Sequence, residues 1–305
     1  MKDLSVLIAA RNEMFLKRTV EDVLSKIRKD TEIIVVLDGD FADPPLVQHE
    51  KVTVIYHHES IGQRAAINEA SRVSQAKYIM KLDAHCSVDE GFDEKLMENC
   101  EYDWTVIPRL YNLHAFDWKC KKCGKTWYQG PTPKFCCKDG SGKVKNEKCD
   151  SKDFERVMVW KPRLGRRSDF MRFDTELRFK YWGAFGERPE AKGEIAPTMS
   201  FLGACWFMHR KRWIELEGLD EKHGSWGQVG TEMACKSWLS GGKLMVNKKT
   251  WYSHMFRTQG GDFSFPYPQR GSQVDKARKY SRDLWLNDKW PQAKHKFQWL
   301  IDKFK

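Results

Sequence analysis

No stretch of the 305 residues reaches the roughly 18 consecutive apolar positions that a membrane-spanning helix needs. The opening Met1-Lys2-Asp3-Leu4-Ser5 lacks the basic start, apolar core and small-residue cleavage site of a secretory leader, so a cytoplasmic protein is expected. No internal repeat or low-complexity run is present, which excludes solenoid, collagen-like and disordered readings. Acidic residues are the scarcer charge, with 42 Asp+Glu against 53 Lys+Arg and a formal net charge of +11. That excess points to a polyanionic partner and says nothing about the fold. What is present is a 41 % hydrophobic fraction, enough for a sizeable core, and thirteen Trp, which serve cores and ligand clefts alike.

Short apolar runs at 4–9, 32–37, 52–56 and 78–82 predict strands, and helical spacing at 14–28 and 64–74 predicts helices between them. This alternation implies an α/β fold with a mostly parallel sheet covered on both faces. Further strands are expected at 104–110, 199–208, 244–246 and 250–253, and helices at 210–218, 231–239 and 272–285. In such sheets ligands sit beyond the carboxyl ends of the strands. The polar clusters Arg11-Asn12-Glu13, Asp38-Gly39-Asp40 and Asp83-Ala84-His85 each come directly after a predicted strand end.

Asp83 and His85 alternate at a strand end, so both side chains can point one way. A carboxylate and an imidazole suit a Mn²⁺-like cation, and His254, after another short strand, is the candidate third ligand. The bland alternative is a turn-capping Asp beside a surface His. Asp38 could likewise cap its own turn, and Arg64 could be a solvated helix arginine as readily as an anion clamp. Glu232 stands at a predicted helix start, where the helix dipole favours an acid anyway.

The order of these motifs carries a family resemblance. Ser5-Val6-Leu7-Ile8-Ala9-Ala10-Arg11-Asn12-Glu13, Ile34 through Asp40, Gly62-Gln63-Arg64-Ala65-Ala66, Leu82-Asp83-Ala84-His85-Cys86, Gly218 through Gly242 and Ser253-His254-Met255-Phe256-Arg257 succeed one another as in the polypeptide N-acetylgalactosaminyltransferases. More broadly the chain resembles nucleotide-sugar glycosyltransferases of the GT-A fold. The resemblance implies Asp83, His85 and His254 as ligands to Mn²⁺ or Mg²⁺. It implies Ala10, Arg11, Glu13, Asp38, Arg64 and Asp83 at a uridine-diphosphate sugar. It also implies transfer with retention of anomeric configuration, with Arg257 near the departing diphosphate and Glu232 at the sugar or acceptor. One departure stands out. The family's Trp-Gly-Gly-Glu-Asn-x-Glu reads Trp226-Gly227-Gln228-Val229-Gly230-Thr231-Glu232 here, so only the second Glu is retained and N-acetylgalactosamine is not assumed. No counterpart of the family's membrane anchor or lectin module is recognised, so a secretory-pathway protein acceptor is not expected.

Five of nine cysteines fall between Cys120 and Cys149. In a reducing compartment such clustering favours metal over disulfides. Cys120-Lys121-Lys122-Cys123-Gly124 is a knuckle, and Cys136-Cys137 and Cys149 come after loops of 12 and 11 residues. Four of Cys120, Cys123, Cys136, Cys137 and Cys149 are expected to hold a structural Zn²⁺, with His114 as a fallback ligand. Residues 156–172 carry six Lys/Arg against one Asp, interleaved with aromatics, a composition suited to phosphate contacts and base stacking.

The expected organisation is a nucleotide-sugar half over 1–113, a zinc-binding insert over 114–152, an acceptor half over 153–262 and a basic helical tail over 263–305. The expected function is a metal-dependent retaining glycosyltransferase acting on a hydroxyl acceptor, with a hydroxymethylated pyrimidine in viral DNA favoured. The alternatives are a cytoplasmic transferase for a cell-surface glycan or protein, and a non-catalytic zinc-containing nucleic-acid binder.

Overall fold

The computed structural model describes residues 2–136, 149–257, 260–268 and 271–305. Its first half is built as the apolar runs dictate. Strands β1 (Leu4–Ala10), β2 (Thr31–Asp38), β3 (Val52–His57) and β4 (Tyr78–Leu82) lie parallel in the order β4-β1-β2-β3. Both faces of β1 and β2 are buried, which is why they read as continuous runs without alternation. Helix α1 (Leu16–Lys26) connects β1 to β2 and buries Leu16, Val20 and Val23 along one stripe. Helix α2 (Gln63–Val73) connects β3 to β4 and buries Ala66, Ile67 and Ala70.

Beyond β4 the sheet is mixed, which corrects the expectation of a mostly parallel one. Short β5 (Cys86–Val88) and α3 (Phe92–Met97) lead into β6 (Trp104–Cys120), a strand of 17 residues. After β7 (Thr126–Tyr128) comes β8 (Phe154–Ser168), antiparallel to β6 along most of its length. The small pair β9 (Met171–Phe173) and β10 (Phe179–Tyr181) stands apart from the main sheet. The chain continues through β11 (Ile195–Pro197), β12 (Cys205–His209), α4 (Arg210–Glu215), α5 (Val229–Leu239), β13 (Lys243–His254), α6 (Gly271–Leu286) and α7 (Phe297–Lys303). The main sheet runs β11-β13-β6-β12-β4-β1-β2-β3, with β12 inserted antiparallel between β4 and β6.

Three expectations from the sequence are altered. The strand expected at 104–110 continues to Cys120, because burial alternates along 112–120 as one face packs on Phe15, Met255 and Phe263. The stretch expected as a separate insert from residue 114 therefore begins inside an unbroken strand. The two strands expected at 244–246 and 250–253 are one, β13, with an irregularity between Asn247 and Trp251. Of the run 199–208, only the last part is a strand; residues 201–204 form a loop.

Helix α5 is buried along its whole length. Its start approaches the 201–203 loop so closely that a Cβ on Gly230 would lie 2.0 Å from the Phe201 carbonyl oxygen. Glycine is the residue that allows this contact, and the contact fixes a loop whose Leu202 and Gly203 line the main cleft of the molecule.

Candidate active site

A cleft of about 410 Å³ opens beyond the carboxyl ends of β1 and β4, where an α/β sheet of this kind receives its ligand. Asp83 comes directly after β4. Its backbone N–H donates to the Ala204 carbonyl, and the Ala84 carbonyl accepts from the Thr19 hydroxyl of α1 at 2.9 Å. These bonds pin the Asp83-Ala84-His85 turn against two neighbouring elements. His254 ends β13 and reaches the same point from the far side of the sheet.

The three side chains converge. His85 Nε2 and His254 Nε2 are 3.1 Å apart, and His254 Nε2 is 3.2 Å from Asp83 Oδ2. All three ligand atoms lie within 4.8 Å of one another. An edge of 3.1 Å is what two nitrogens span around one ion at bonds of about 2.2 Å, so this donor set fits a divalent cation. Burial pushes His254 down to about pKa 4 despite the Asp83 bond that opposes it. Burial also acts to raise Asp83, but Lys81 and His254 outweigh it and hold its carboxyl well below the usual carboxylate range. At neutral pH the pair is a carboxylate and a neutral imidazole, the states a metal requires.

Glu13 lies behind His85. Its Oε2 is 2.9 Å from His85 Nδ1, and its carboxylate accepts two bonds from the Arg257 guanidinium, at 2.7 and 2.8 Å. Burial would raise the Glu13 pKa; His85 and Arg257 overcome it and keep the group ionised. Glu13, expected at the nucleotide, borders the main cleft, where its carboxylate is engaged by His85 and Arg257. Arg257 borders the cleft with its charge shared with Glu13.

Ala10 and Arg11 line both the main cleft and a smaller lobe beside it, as do Gln63, Trp226 and Tyr267. Asp38 borders only the smaller lobe. Its carboxylate accepts from the Ser60 hydroxyl at 2.8 Å and from the N–H groups of Ile61 and Gly62, so it also caps the turn into α2.

Two expectations are corrected by burial. Arg64 is 1 % exposed and does not face a ligand: it donates to Glu232 at 3.0 Å and to the carbonyls of Gly224 and Gly227. Glu232 is wholly buried and absent from the cleft wall. Besides Arg64, it accepts from the Asp220 N–H at 2.5 Å and faces Lys236 at 3.3 Å and His223 at 3.6 Å. This network ties α2 and α5 to the 218–227 segment; its parts come together from far along the chain, which a reading of local motifs does not reveal.

Gln63 and Trp226, which the motifs contain without a role of their own, stand on the cleft wall, together with Phe179 and Tyr267, which no motif signals, and Lys81 lies beneath it. Lys81 donates to Asp83 and to the carbonyls of Gly203, at 2.9 Å, and Ala204, at 3.3 Å. A lysine inside the otherwise apolar run 78–82 was the available signal.

At the far end of β6 the sulfurs of Cys120, Cys123, Cys136 and Cys149 lie within 4.8 Å of one another, with Cys123 to Cys136 at 3.2 Å and Cys120 to Cys149 at 3.8 Å. Thiolates around a tetrahedral ion at bonds of about 2.3 Å are spaced similarly. Burial opposes ionisation of Cys120, but the backbone N–H groups of Cys123 and Lys122 and neighbouring thiols bring it down to about 6. Cys137 lies outside the described residues. His114 pairs instead with Asp117, at 2.6 Å. Cys86, Cys205 and Cys235 are buried apart from the cluster, with burial pushing their thiols up. Among the described residues no helix is long and apolar enough to cross a membrane.

Residues 5–134 match the profile of glycosyl transferase family 2. Over 94 % of its length the chain is 23 % identical to a putative polypeptide N-acetylgalactosaminyltransferase 13 of Drosophila melanogaster, covering 48 % of that protein. Over 93 % it is 25 % identical to human polypeptide N-acetylgalactosaminyltransferase 3, covering 41 % of it. The chain thus spans less than half the length of these relatives. A crystal structure of GalNAc-T7 with UDP, GalNAc and Mn²⁺ superposes with a TM-score of 0.62 at 17 % identity, over 94 % of this chain and 49 % of that one. The chain carries the GT-A fold of nucleotide-sugar glycosyltransferases and resembles the polypeptide N-acetylgalactosaminyltransferases.

Proposed function

We propose that the protein is a metal-dependent, retaining glycosyltransferase that moves a sugar from a UDP-sugar to a hydroxyl acceptor. The juxtaposition of Asp83, His85 and His254 on the floor of the cleft is the observation that carries this reading. A divalent cation held by these three residues, Mn²⁺ or Mg²⁺, supplies positive charge for the departing diphosphate. Glu13 fixes the His85 ring, accepting at Nδ1 so that Nε2 faces the ligand position. Arg257 holds Glu13 and adds its own charge at the cleft wall. Ala10, Arg11 and Asp38 border the smaller lobe, which we assign to the nucleotide. In the reaction the bond from the anomeric carbon to the diphosphate breaks and a bond to the acceptor oxygen forms on the same face. The acceptor proton passes to the leaving diphosphate, because no side chain is placed as a separate base in this reading.

For the acceptor we favour a hydroxymethylated pyrimidine in DNA, as in modified viral genomes, presented single-stranded or flipped from the duplex. The names of the relatives favour a second reading, a polypeptide hydroxyl. Incubation with a panel of UDP-sugars and Mn²⁺, with hydroxymethylcytosine-containing DNA in one arm and Ser/Thr peptides in the other, then mass analysis, tests both. Sugar on the DNA supports the favoured acceptor; sugar on the peptide alone replaces it; absence of UDP release from every donor of the panel overturns the transferase reading. We further assign a structural Zn²⁺ to Cys120, Cys123, Cys136 and Cys149, closing the tip of the β6–β8 ribbon.

A further inference from the structure

Strand β8 is an edge: it pairs with β6 on one side, and among the described residues no strand pairs with the other. Basic residues at the ribbon tip are neutralised locally, Lys119 by Glu155 at 3.6 Å, Lys121 by Asp153 at 3.1 Å and Lys122 by Asp150 at 3.3 Å. Nearer the cleft the pattern changes. Among the described residues no carboxylate comes within 4.0 Å of Lys161, Arg163, Arg166 or Arg167. This stretch holds four cations and no acid from 161 to 167.

Apolar and aromatic groups accompany the charge. The Arg163 guanidinium sits 4.5 Å over the half-exposed Tyr128 ring, and Leu164 is 68 % exposed. The register ties the stretch to the candidate active site. His254 of β13 pairs with Asn112 of β6, and Asn112 pairs with Arg163 of β8. Arg163 is thus two ladder steps from a proposed metal ligand, about 10 Å at ordinary strand spacing. Between Arg163 and Arg167 the register slips, so residues 164–166 bulge out of the ladder. Bulges of this kind re-aim side chains beside active sites.

We propose that the basic bulge of β8, Lys161 with Arg163, Arg166 and Arg167, binds the phosphate backbone of a nucleic acid and leads the strand to the cleft. Guanidinium and ammonium groups neutralise phosphates and release counterions, and Tyr128 and Leu164 offer apolar surface to an unstacked base. Docking of the strand is independent of the proposed DNA acceptor; only the transfer of sugar to the docked strand rests on it.

The test is fluorescence anisotropy of labelled single-stranded and duplex DNA with the full chain, over about 50 to 200 mM salt. Wild type is compared with the triple variant Lys161→Ala/Arg166→Ala/Arg167→Ala, with UDP affinity in Mn²⁺ checking that the variant is folded. The expected result is affinity weakened more than about tenfold near 0.1 M salt and a log–log salt slope smaller by about 2 to 3. Unchanged affinity and slope overturn the inference, as does wild-type binding to phosphatidylserine vesicles without binding to DNA. If the variant loses DNA affinity while wild type transfers no sugar to DNA, the docking surface stands and the acceptor reading fails. If the variant binds DNA as wild type does and sugar is still transferred, the reverse holds.

Discussion

Glu13 and His85 are joined at 2.9 Å through Oε2 and Nδ1, and this bond leaves His85 Nε2 facing His254 Nε2. The ionised carboxylate accepts a hydrogen bond from Nδ1–H, which fixes the tautomer and leaves Nε2 unprotonated, able to serve as a ligand. Glu13→Gln keeps the size and loses the charge. We expect Mn²⁺ affinity to fall about 10- to 100-fold, measured by electron paramagnetic resonance of free Mn²⁺. Unaltered affinity would show that Glu13 does not set the His85 geometry.

Glu232 is predicted to act through stability. It is wholly buried against Arg64, Lys236 and His223, so Glu232→Gln leaves buried cations without their counter-ion. The expected cost is about 3 to 5 kcal/mol in urea unfolding. A variant of wild-type stability would return Glu232 to the list of ligand-contacting residues.

His254 gives the protein a pH-dependent stability. Its folded pKa, about 4, lies below the unfolded value of about 6.5. Above pH 6.5 the ring is neutral in both states and the contribution to stability is complete. As pH falls through about 6.5 the unfolded chain takes up a proton that the folded one refuses, and stability declines by up to about 1.4 kcal/mol per pH unit. Urea unfolding of metal-free protein between about pH 7.5 and 4.5 should show this slope, and His254→Asn should flatten it. The same slope in both proteins would contradict the assignment.

The four-thiol cluster predicts one Zn²⁺ per chain by elemental analysis. Cys123→Ser should lose most of it, and the ribbon at β7 should become susceptible to proteolysis. A zinc-free wild type with an intact ribbon would show that packing alone holds the tip.

The parallel half and the convergence of Asp83, His85 and His254 were legible in the sequence because their signals are local. β1, β2 and β4 are mostly apolar runs, and Asp83, His85 and His254 each stand at a strand end. The roles of Arg64 and Glu232 were not legible. Each looks like a polar residue at a helix start, and what buries them is a contact between positions 168 residues apart. The β6–β8 ribbon was hidden for another reason. The second part of β6 alternates and owes its burial to Phe15, Met255 and Phe263, none of which is near in sequence, while β8 is largely exposed and rich in Arg.

The most direct measurement is UDP release from a panel of UDP-sugars by wild type and His85→Ala, each with Mn²⁺ and with chelator, circular dichroism confirming that both are folded. The expected result is release by wild type that requires Mn²⁺ and is abolished in His85→Ala. Full release by the variant, or by wild type in chelator, would contradict it.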